Sequence, residues 1–378
     1  MKKEFSLYLD LMRFVAAVLV VIYHSNSRLL SVAHLPFSNH GHAAVIVFFV
    51  LSGYVIAHIT AQRENTPLEY WSSRLARFYS LALPVVLLCP LLDHFGRALA
   101  PAFYEGRGTP DLIWLRMLTS LSFLNEVWTV SIMSFSNTPY WSLCYEMWYY
   151  IGFAIVIFTR GRSRATLLAA VALLLGPKIL LLAPVWALGV VLQRWQWLQR
   201  LPPLPGALLW IASFAAYAGF QAAGLTDVGA DLLGRIVGPY WLRQLAFSKF
   251  VITDYPLALI VAANFAGARA MAPMLGPWLL PLARPIRWLS SYTFSLYIMH
   301  QPLLQFYSAA INGDPRGPLF YCETMAATLL TVWAAGTLTE HRRGALRRRI
   351  HGWLAALFGS RWWQRRVSGP LGARAVQG

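Results

Sequence analysis

Charge is what this chain has least of. Only 12% of its 378 residues are Asp, Glu, Lys or Arg, against about 25% in a typical soluble domain. A chain this long needs an ionisable shell to face water, and there are too few such residues to build one. An ordinary soluble enzyme and a disordered chain are excluded. Cysteine is also scarce. Cys89, Cys144 and Cys322 stand apart, with no CxxC and no His/Cys ligand spacing, which argues against a disulfide framework and against a metal site. Acid is the rarer sign, 15 Asp and Glu against 32 Lys and Arg, and none occurs after Glu340. No fixed-period repeat or inverted half-to-half symmetry is evident, which weakens the case for a secondary transporter.

What fills the chain instead is hydrophobic, 57% of residues. Crossing a hydrocarbon core of about 30 Å takes about 20 mainly apolar residues. Ten segments meet that need: 7–30, 43–60, 78–95, 140–159, 165–181, 183–194, 206–224, 250–266, 287–310 and 319–340. Gly176-Pro177 and Pro184 interrupt 165–194, which reads either as two spans or as one kinked span with a flank. Residues 112–126 are apolar but lie in a long loop, and read as a re-entrant or interfacial helix. The fold class expected is an all-α integral membrane protein, a bundle of about ten transmembrane helices. Met1-Lys2-Lys3-Glu4 runs straight into the first span with no small-residue cleavage site behind it, so that span is expected to stay and not to be removed as a signal peptide.

The net charge of +17 is distributed as a membrane protein requires. With Lys2 and Lys3 cytoplasmic, the connectors on that side hold Arg63, Arg74, Arg77, Arg160, Arg162, Arg164, Arg194, Arg200, Arg269, Arg284 and Arg287. The tail adds nine more, from Arg342 and Arg343 through Arg347, Arg348, Arg349, Arg361, Arg365 and Arg366 to Arg374. This puts 22 of the 32 basic residues on one side, the pattern that orients spans. Both termini are therefore expected in the cytoplasm. The division expected is a membrane domain over 1–340 and a basic cytoplasmic tail over 341–378. Nucleic acid is not the expected partner, because the charge lies in connectors and not on a soluble module. No soluble catalytic domain fits between the spans, so any chemistry occurs inside the membrane or at its surfaces.

Ionisable groups within spans are costly and mark functional candidates. Asp10, Arg13 and His24 share the first span. Eleven positions at about 100° each bring Arg13 and His24 to one face, with Asp10 within about 60° of them. Asp10–Arg13 is equally readable as a local ion pair, and His24 as a packing histidine. In Trp141-Ser142-Leu143-Cys144-Tyr145-Glu146-Met147-Trp148-Tyr149-Tyr150, Glu146 lies at about the depth of His24, and could orient its imidazole as general base. The bland reading is an aromatic interfacial belt with a snorkelling Glu. Arg74 and Arg77, at i,i+3, could grip phosphates or merely anchor topology. Ser52-Gly53 permits a close helix contact or a local opening for a ligand. Cys144 and His300 read as packing residues. His34, His40, His42, His58 and His94 read as edge or loop residues, with His40 and His42 able to shape the outer mouth. Loops 31–42, 96–139 and 225–249 are expected to frame the outer face.

In this order the segments resemble the acyltransferase-3 family, multi-span bacterial enzymes that acylate sugars of surface glycans and glycosylated small molecules. The matching pieces are Leu11-Met12-Arg13-Phe14 with Tyr23-His24, Phe48-Phe49-Val50-Leu51-Ser52-Gly53-Tyr54, Arg74-x-x-Arg77, Trp141-Ser142-Leu143-x-x-Glu146, and Ser291 through His300. They run from residue 7 to about 340. Ile46 departs from the pattern, since many relatives have an acid there. No hydrolase-like domain follows the last span, which suggests a standalone membrane enzyme. The resemblance implies a multi-pass protein of the bacterial inner membrane, with a cytoplasmic acyl-CoA donor, usually acetyl-CoA, and a carbohydrate hydroxyl as acceptor. Mapped residue by residue, His24 becomes the catalytic base, oriented by Glu146, and Arg13 or a backbone N–H the oxyanion stabiliser, while Arg74 and Arg77 with Ser52 and Gly53 hold the donor. Asp10, Trp141, Tyr145 and Tyr150 are candidates for substrate contacts, and no metal is expected. A glycan or lipid transporter using the polar stripe as a proton relay, and an assembly subunit without chemistry, are the competing expectations. Oligomeric state, acceptor sugar and acyl identity are not legible.

Overall fold

The computed structural model describes residues 1–26, 35–107 and 110–358. His34, the first part of loop 31–42 and the tail arginines Arg361, Arg365, Arg366 and Arg374 lie outside the described residues. Among the described residues the fold is all helix, with no strand. The chain runs through α1 (Lys3–Ser25), α2 (Gly41–Gln62), α3 (Pro67–Leu99), α4 (Pro101–Tyr104), α5 (Ile113–Leu121) and α6 (Tyr140–Phe158). It continues through α7 (Gly161–Leu175), α8 (Pro177–Arg194), α9 (Gln196–Gln199), α10 (Pro203–Ala222), α11 (Leu225–Gln244) and α12 (Val251–Ala270). The last elements are α13 (Ala272–Leu279), α14 (Ala283–Ser290), α15 (Thr293–Ala310), α16 (Pro318–Leu338) and α17 (Arg343–Leu357).

Eight helical stretches are long and apolar enough to cross a membrane: α1, α2, α3, α6, α8, α10, α12 with its preceding turn, and α16 with α17. Two of the ten expected segments fall short for different reasons. In 165–194 the break falls at Gly176, whose φ of 73° only glycine adopts freely, leaving α7 with 15 residues. A side chain there would also collide with Trp128. Segment 287–310 straddles the end of α14 and the whole of α15. Thr293, Ser295, His300, Gln301 and Gln305 are all buried in α15, so it is polar where a lipid-facing span would be apolar.

One loop expectation changes and another is narrowed. Residues 225–249 are mostly helix, α11 bending where Gly238 (φ 80°) precedes Pro239. Within 112–126 only α5 is helical, nine residues and about 14 Å long, too short to span. Its Trp114 and Leu118 are 76% and 66% exposed.

The remaining helices follow their sequence signals. Thr66 caps α3, its hydroxyl accepting from the Glu69 amide at 3.2 Å, with Pro67 opening the helix. Leu83, Leu87, Leu91 and Phe95 recur every four residues along α3 and are 44–58% exposed, a stripe that lipid tolerates and water does not. The core lies where α1, α2, α3, α6, α8, α12 and α15 meet. There α2 crosses α8 closely. A Cβ on Gly53 would overlap the Trp186 carbonyl, and one on Gly189 would overlap that of Val50, the small-residue contact that lets two backbones approach.

Candidate functional site

One end of the bundle is basic. A vestibule of about 770 Å³ opens there, lined by Lys3, Arg63, Arg74, Arg77, Arg287, Arg343 and Arg347, with Glu64 as its acid. The beginning of the chain and α17 thus meet in one cavity. A second chamber of about 430 Å³ lies beside it, walled by Asp10, Arg13, Arg77, Arg287, Glu340 and Arg343. Deeper in the bundle a narrow cavity of about 60 Å³ is lined by Arg13, Ser52, Arg74, Arg77, Glu146, Tyr150 and Tyr297, among others. Arg77 borders all three spaces.

The two arginines of the Arg74-x-x-Arg77 pair differ in state. Arg74 Nη2 is 2.5 Å from Glu64 Oε2, and its guanidinium lies over the rings of Tyr70 and Tyr150 at 5.8 and 5.5 Å. Arg77 makes none of the ion pairs found among the described residues, and its Nε has no hydrogen-bond partner there. The Phe294 ring lies 5.5 Å from its guanidinium. Nearby, Glu340 accepts from the Ser295 hydroxyl at 2.9 Å and its amide at 3.3 Å, holding the first turn of α15 at the side chamber.

Glu146 is held from two sides. Ser52 Oγ donates to its Oε1 at 2.5 Å, and the Tyr150 hydroxyl donates to the same oxygen at 2.6 Å. Trp186 Nε1 donates to Ser52 Oγ at 3.2 Å. Both partners of the carboxylate are therefore on the cavity wall, and the expected Glu146–His24 pairing is replaced by this cluster. Arg13 lies 3.5 Å from Asp10, the local i,i+3 pair, so Asp10 steers Arg13 and stands in the side chamber.

His24 sits at the opposite end of α1, eleven residues or about 16 Å beyond Arg13. Its ring centroid is 5.1 Å from that of His300 and 5.0 Å from that of Tyr23. Tyr297, one turn before His300 on α15, reaches the narrow cavity, where it packs on Phe48 and bonds Ser142 at 2.6 Å. Tyr297 on the cavity and His300 beside His24 thus lie one turn apart on α15.

Other expected site residues serve the scaffold. Trp141 is stacked on Phe247 at 4.3 Å, and Tyr145 is wholly buried with its hydroxyl 3.3 Å from Ser248. Neither reaches the cavities described. Gly53 belongs to the α2–α8 crossing. Cys144 is buried, donating to the Phe123 carbonyl.

Sequence reading passed over four groups. Glu64 and Glu340 gave no signal beyond being acids at a basic end. Asp254, 1% exposed, bonds His42 Nε2 at 2.6 Å, while His40 Nδ1 lies 2.5 Å from the Tyr217 hydroxyl. Lys178, fully buried, meets Glu126 at 3.0 Å and Ser131 at 2.7 Å. Asp254 and Lys178 fall inside expected spans, so the rule that flagged Asp10 should have flagged them.

No solved structure matches the chain. A relative, an acyltransferase named MdmB from Streptomyces mycarofaciens, is 32% identical over 123 residues, covering 32% of this chain and 30% of that protein. The chain thus spans about a third of that curated relative's length in the match. The family model described as an acyltransferase domain matches residues 6–338, which include every cavity-lining residue except Met1, Lys3 and those beyond Leu338. The chain belongs to the acyltransferase-3 family.

Proposed function

We propose that this protein is a membrane O-acyltransferase that moves an acyl group, acetyl in the first instance, from acyl-coenzyme A to a carbohydrate hydroxyl. The observation that supports this most is the junction at Arg77 of a large basic vestibule and a narrow, mainly apolar cavity that carries Arg13, Ser52, Glu146 and Tyr150 on its wall. Coenzyme A has the matching shape, polyanionic at one end with a thioester on a long slender arm. Its phosphates would lie in the vestibule, gripped by Arg77. Arg74, engaged by Glu64, would shape the wall and contribute field more than direct bonds. The arm would pass Arg13, Ser52, Glu146 and Tyr150 toward His24.

His24, at the far end, would meet an acceptor arriving from the opposite side. As its imidazole takes the hydroxyl proton, the oxygen attacks the thioester carbonyl carbon. The tetrahedral intermediate collapses with cleavage of the carbon–sulfur bond, and the thiolate takes the proton to leave as coenzyme A. Arg13 is a poor oxyanion donor for this centre, because its side chain leans back toward the start of α1. It serves the arm instead.

Counting α7 and α15 as passes gives ten. Vestibule residues from both Lys3 and α17 fit an even number, with both ends cytoplasmic in a bacterial inner membrane. The experiment is mass spectrometry of cell-surface and secreted glycans from cells with and without the gene, paired with acyl-CoA consumption in isolated membranes. A lost acyl mass and lost consumption in His24→Ala membranes are expected. Unchanged transfer by His24→Ala would sink the mechanism, and flux driven by a pH gradient without acyl-CoA use would favour a transporter.

A further inference from the structure

Glu146 is engaged by Ser52 and Tyr150, and catalytic bases are commonly oriented by a further polar group. His300 has the required geometry. Its ring is wholly buried, and Nδ1 lies 2.8 Å from the Tyr297 carbonyl and 3.1 Å from that of Leu296. Carbonyl oxygens only accept, so Nδ1 carries the hydrogen, and in the neutral ring Nε2 is left with the lone pair. That Nε2 has no hydrogen-bond partner among the described residues. A buried acceptor with nothing to accept is uncommon and calls for an explanation.

The ring beside it is that of His24, its centroid 5.1 Å away. The two rings are not hydrogen-bonded in this structure, and rotation of the His24 ring at that separation would bring one of its N–H groups onto Nε2. The surrounding turn of α15 is rigidly held. Pro302 lacks the N–H that would bond the Ile298 carbonyl, and Asn137 Nδ2 takes that carbonyl instead at 2.8 Å. Tyr297, whose carbonyl receives the His300 hydrogen, is pinned by Ser142. Such a shell can fix a ring's orientation to the tolerance catalysis needs.

We infer that His300 is the positioning residue for His24, its Nε2 accepting one N–H of the His24 ring so that the other nitrogen faces the acceptor hydroxyl as base. This rests on the acyl-transfer reading above and replaces Glu146 in the orienting role. The hydroxyl proton passes to His24 as the carbon–oxygen bond forms. The resulting imidazolium keeps its second N–H on His300, then returns the proton to the departing thiolate. His300 changes neither charge nor proton count.

The test is steady-state kinetics of the full chain in membranes. His300→Phe and His300→Met remove the acceptor, whereas His300→Gln keeps one at the end of a side chain of similar reach. Expected for Phe or Met is a fall in kcat of about 100-fold or more, the lower end for loss of acid–base assistance. KM for acyl-CoA should stay within about twofold, and Gln should recover at least about tenfold in kcat over Phe. A packing role alone would move Gln, Phe and Met together, with folded yield by size-exclusion chromatography, and that pattern overturns the inference. Wild-type kcat in any folded Phe or Met variant overturns it too. If His24→Ala is inactive while His300→Phe is active, only this inference fails; if His24→Ala is fully active, the base assignment fails with it.

Discussion

Glu64 Oε2 lies 2.5 Å from Arg74 Nη2, ten residues away across the turn between α2 and α3. That contact divides a pair of arginines that sequence presents as equals. Both partners are nearly buried, with side chains 5% and 7% exposed, so neither can be removed alone without stranding a charge.

Glu64→Ala should therefore cost about 3 kcal/mol or more in stability, the usual penalty for breaking a buried pair from one side. Thermal unfolding in detergent reads this directly. The double variant Glu64→Leu with Arg74→Met should regain most of the loss, whereas simple additivity of the two single losses would mean that the pair is not coupled.

Arg77 should behave differently. It makes none of the ion pairs found among the described residues, so Arg77→Ala should leave the unfolding midpoint close to wild type. A charge-assisted hydrogen bond is worth about 1.5–3 kcal/mol, which predicts a KM for acyl-CoA raised by about 10- to 100-fold. Arg77→Lys should recover part of it. An unchanged KM would remove Arg77 from the donor site.

Ser52 and Tyr150 bind the same oxygen of Glu146 and lie 3.0 Å from each other. Ser52→Ala and Tyr150→Phe should each lower kcat/KM. Because they share one acceptor, the double variant should depart from additivity by about 0.5–3 kcal/mol. Additive losses would indicate that the carboxylate has another principal partner.

Gly53 separates a packing role from a donor-binding one. Gly53→Ala and Gly189→Ala each place a methyl against the facing backbone and should cost about 1–3 kcal/mol through overpacking. The folded fraction should keep its KM for acyl-CoA. A raised KM at wild-type stability would return Gly53 to the donor site.

The buried pair Lys178–Glu126 ties the segment before α6 to the start of α8. Lys178→Met alone should be strongly destabilising, by about 3–5 kcal/mol, and Lys178→Met with Glu126→Leu should recover most of that. Limited proteolysis of the 122–139 segment would follow the same order if the pair is what docks it.

The membrane character, the helical class and the basic end were legible because they depend on composition along the chain. Scarce charge excludes water as solvent, and apolar runs of span length can be counted. Arg13, Ser52, Arg77, Glu146 and Tyr150, which the motifs single out and which are scattered over more than a hundred residues, line one narrow cavity. Helix α15 shows the limit of the same reasoning. It is enclosed by other helices and carries polar residues that hydropathy discounts, although its burial is among the deepest in the bundle.

Partnership was decided by tertiary structure alone. Glu146 and His24 were matched by depth, yet depth leaves rotation about the helix axis open, and Glu146 faces Ser52, 94 positions away. A helix such as α2, apolar nearly all round, has no polar stripe to declare which side meets which neighbour. That choice is made by packing, as where Gly53 and Gly189 let α2 and α8 close together. Sequence thus determined the solvent, the helical class and a short list of polar residues. Only the folded bundle decided that, among the described residues, Arg74 has an ion-pair partner and Arg77 has none, and that His300 is the histidine beside His24, because those facts depend on distances between chain segments that no local pattern encodes.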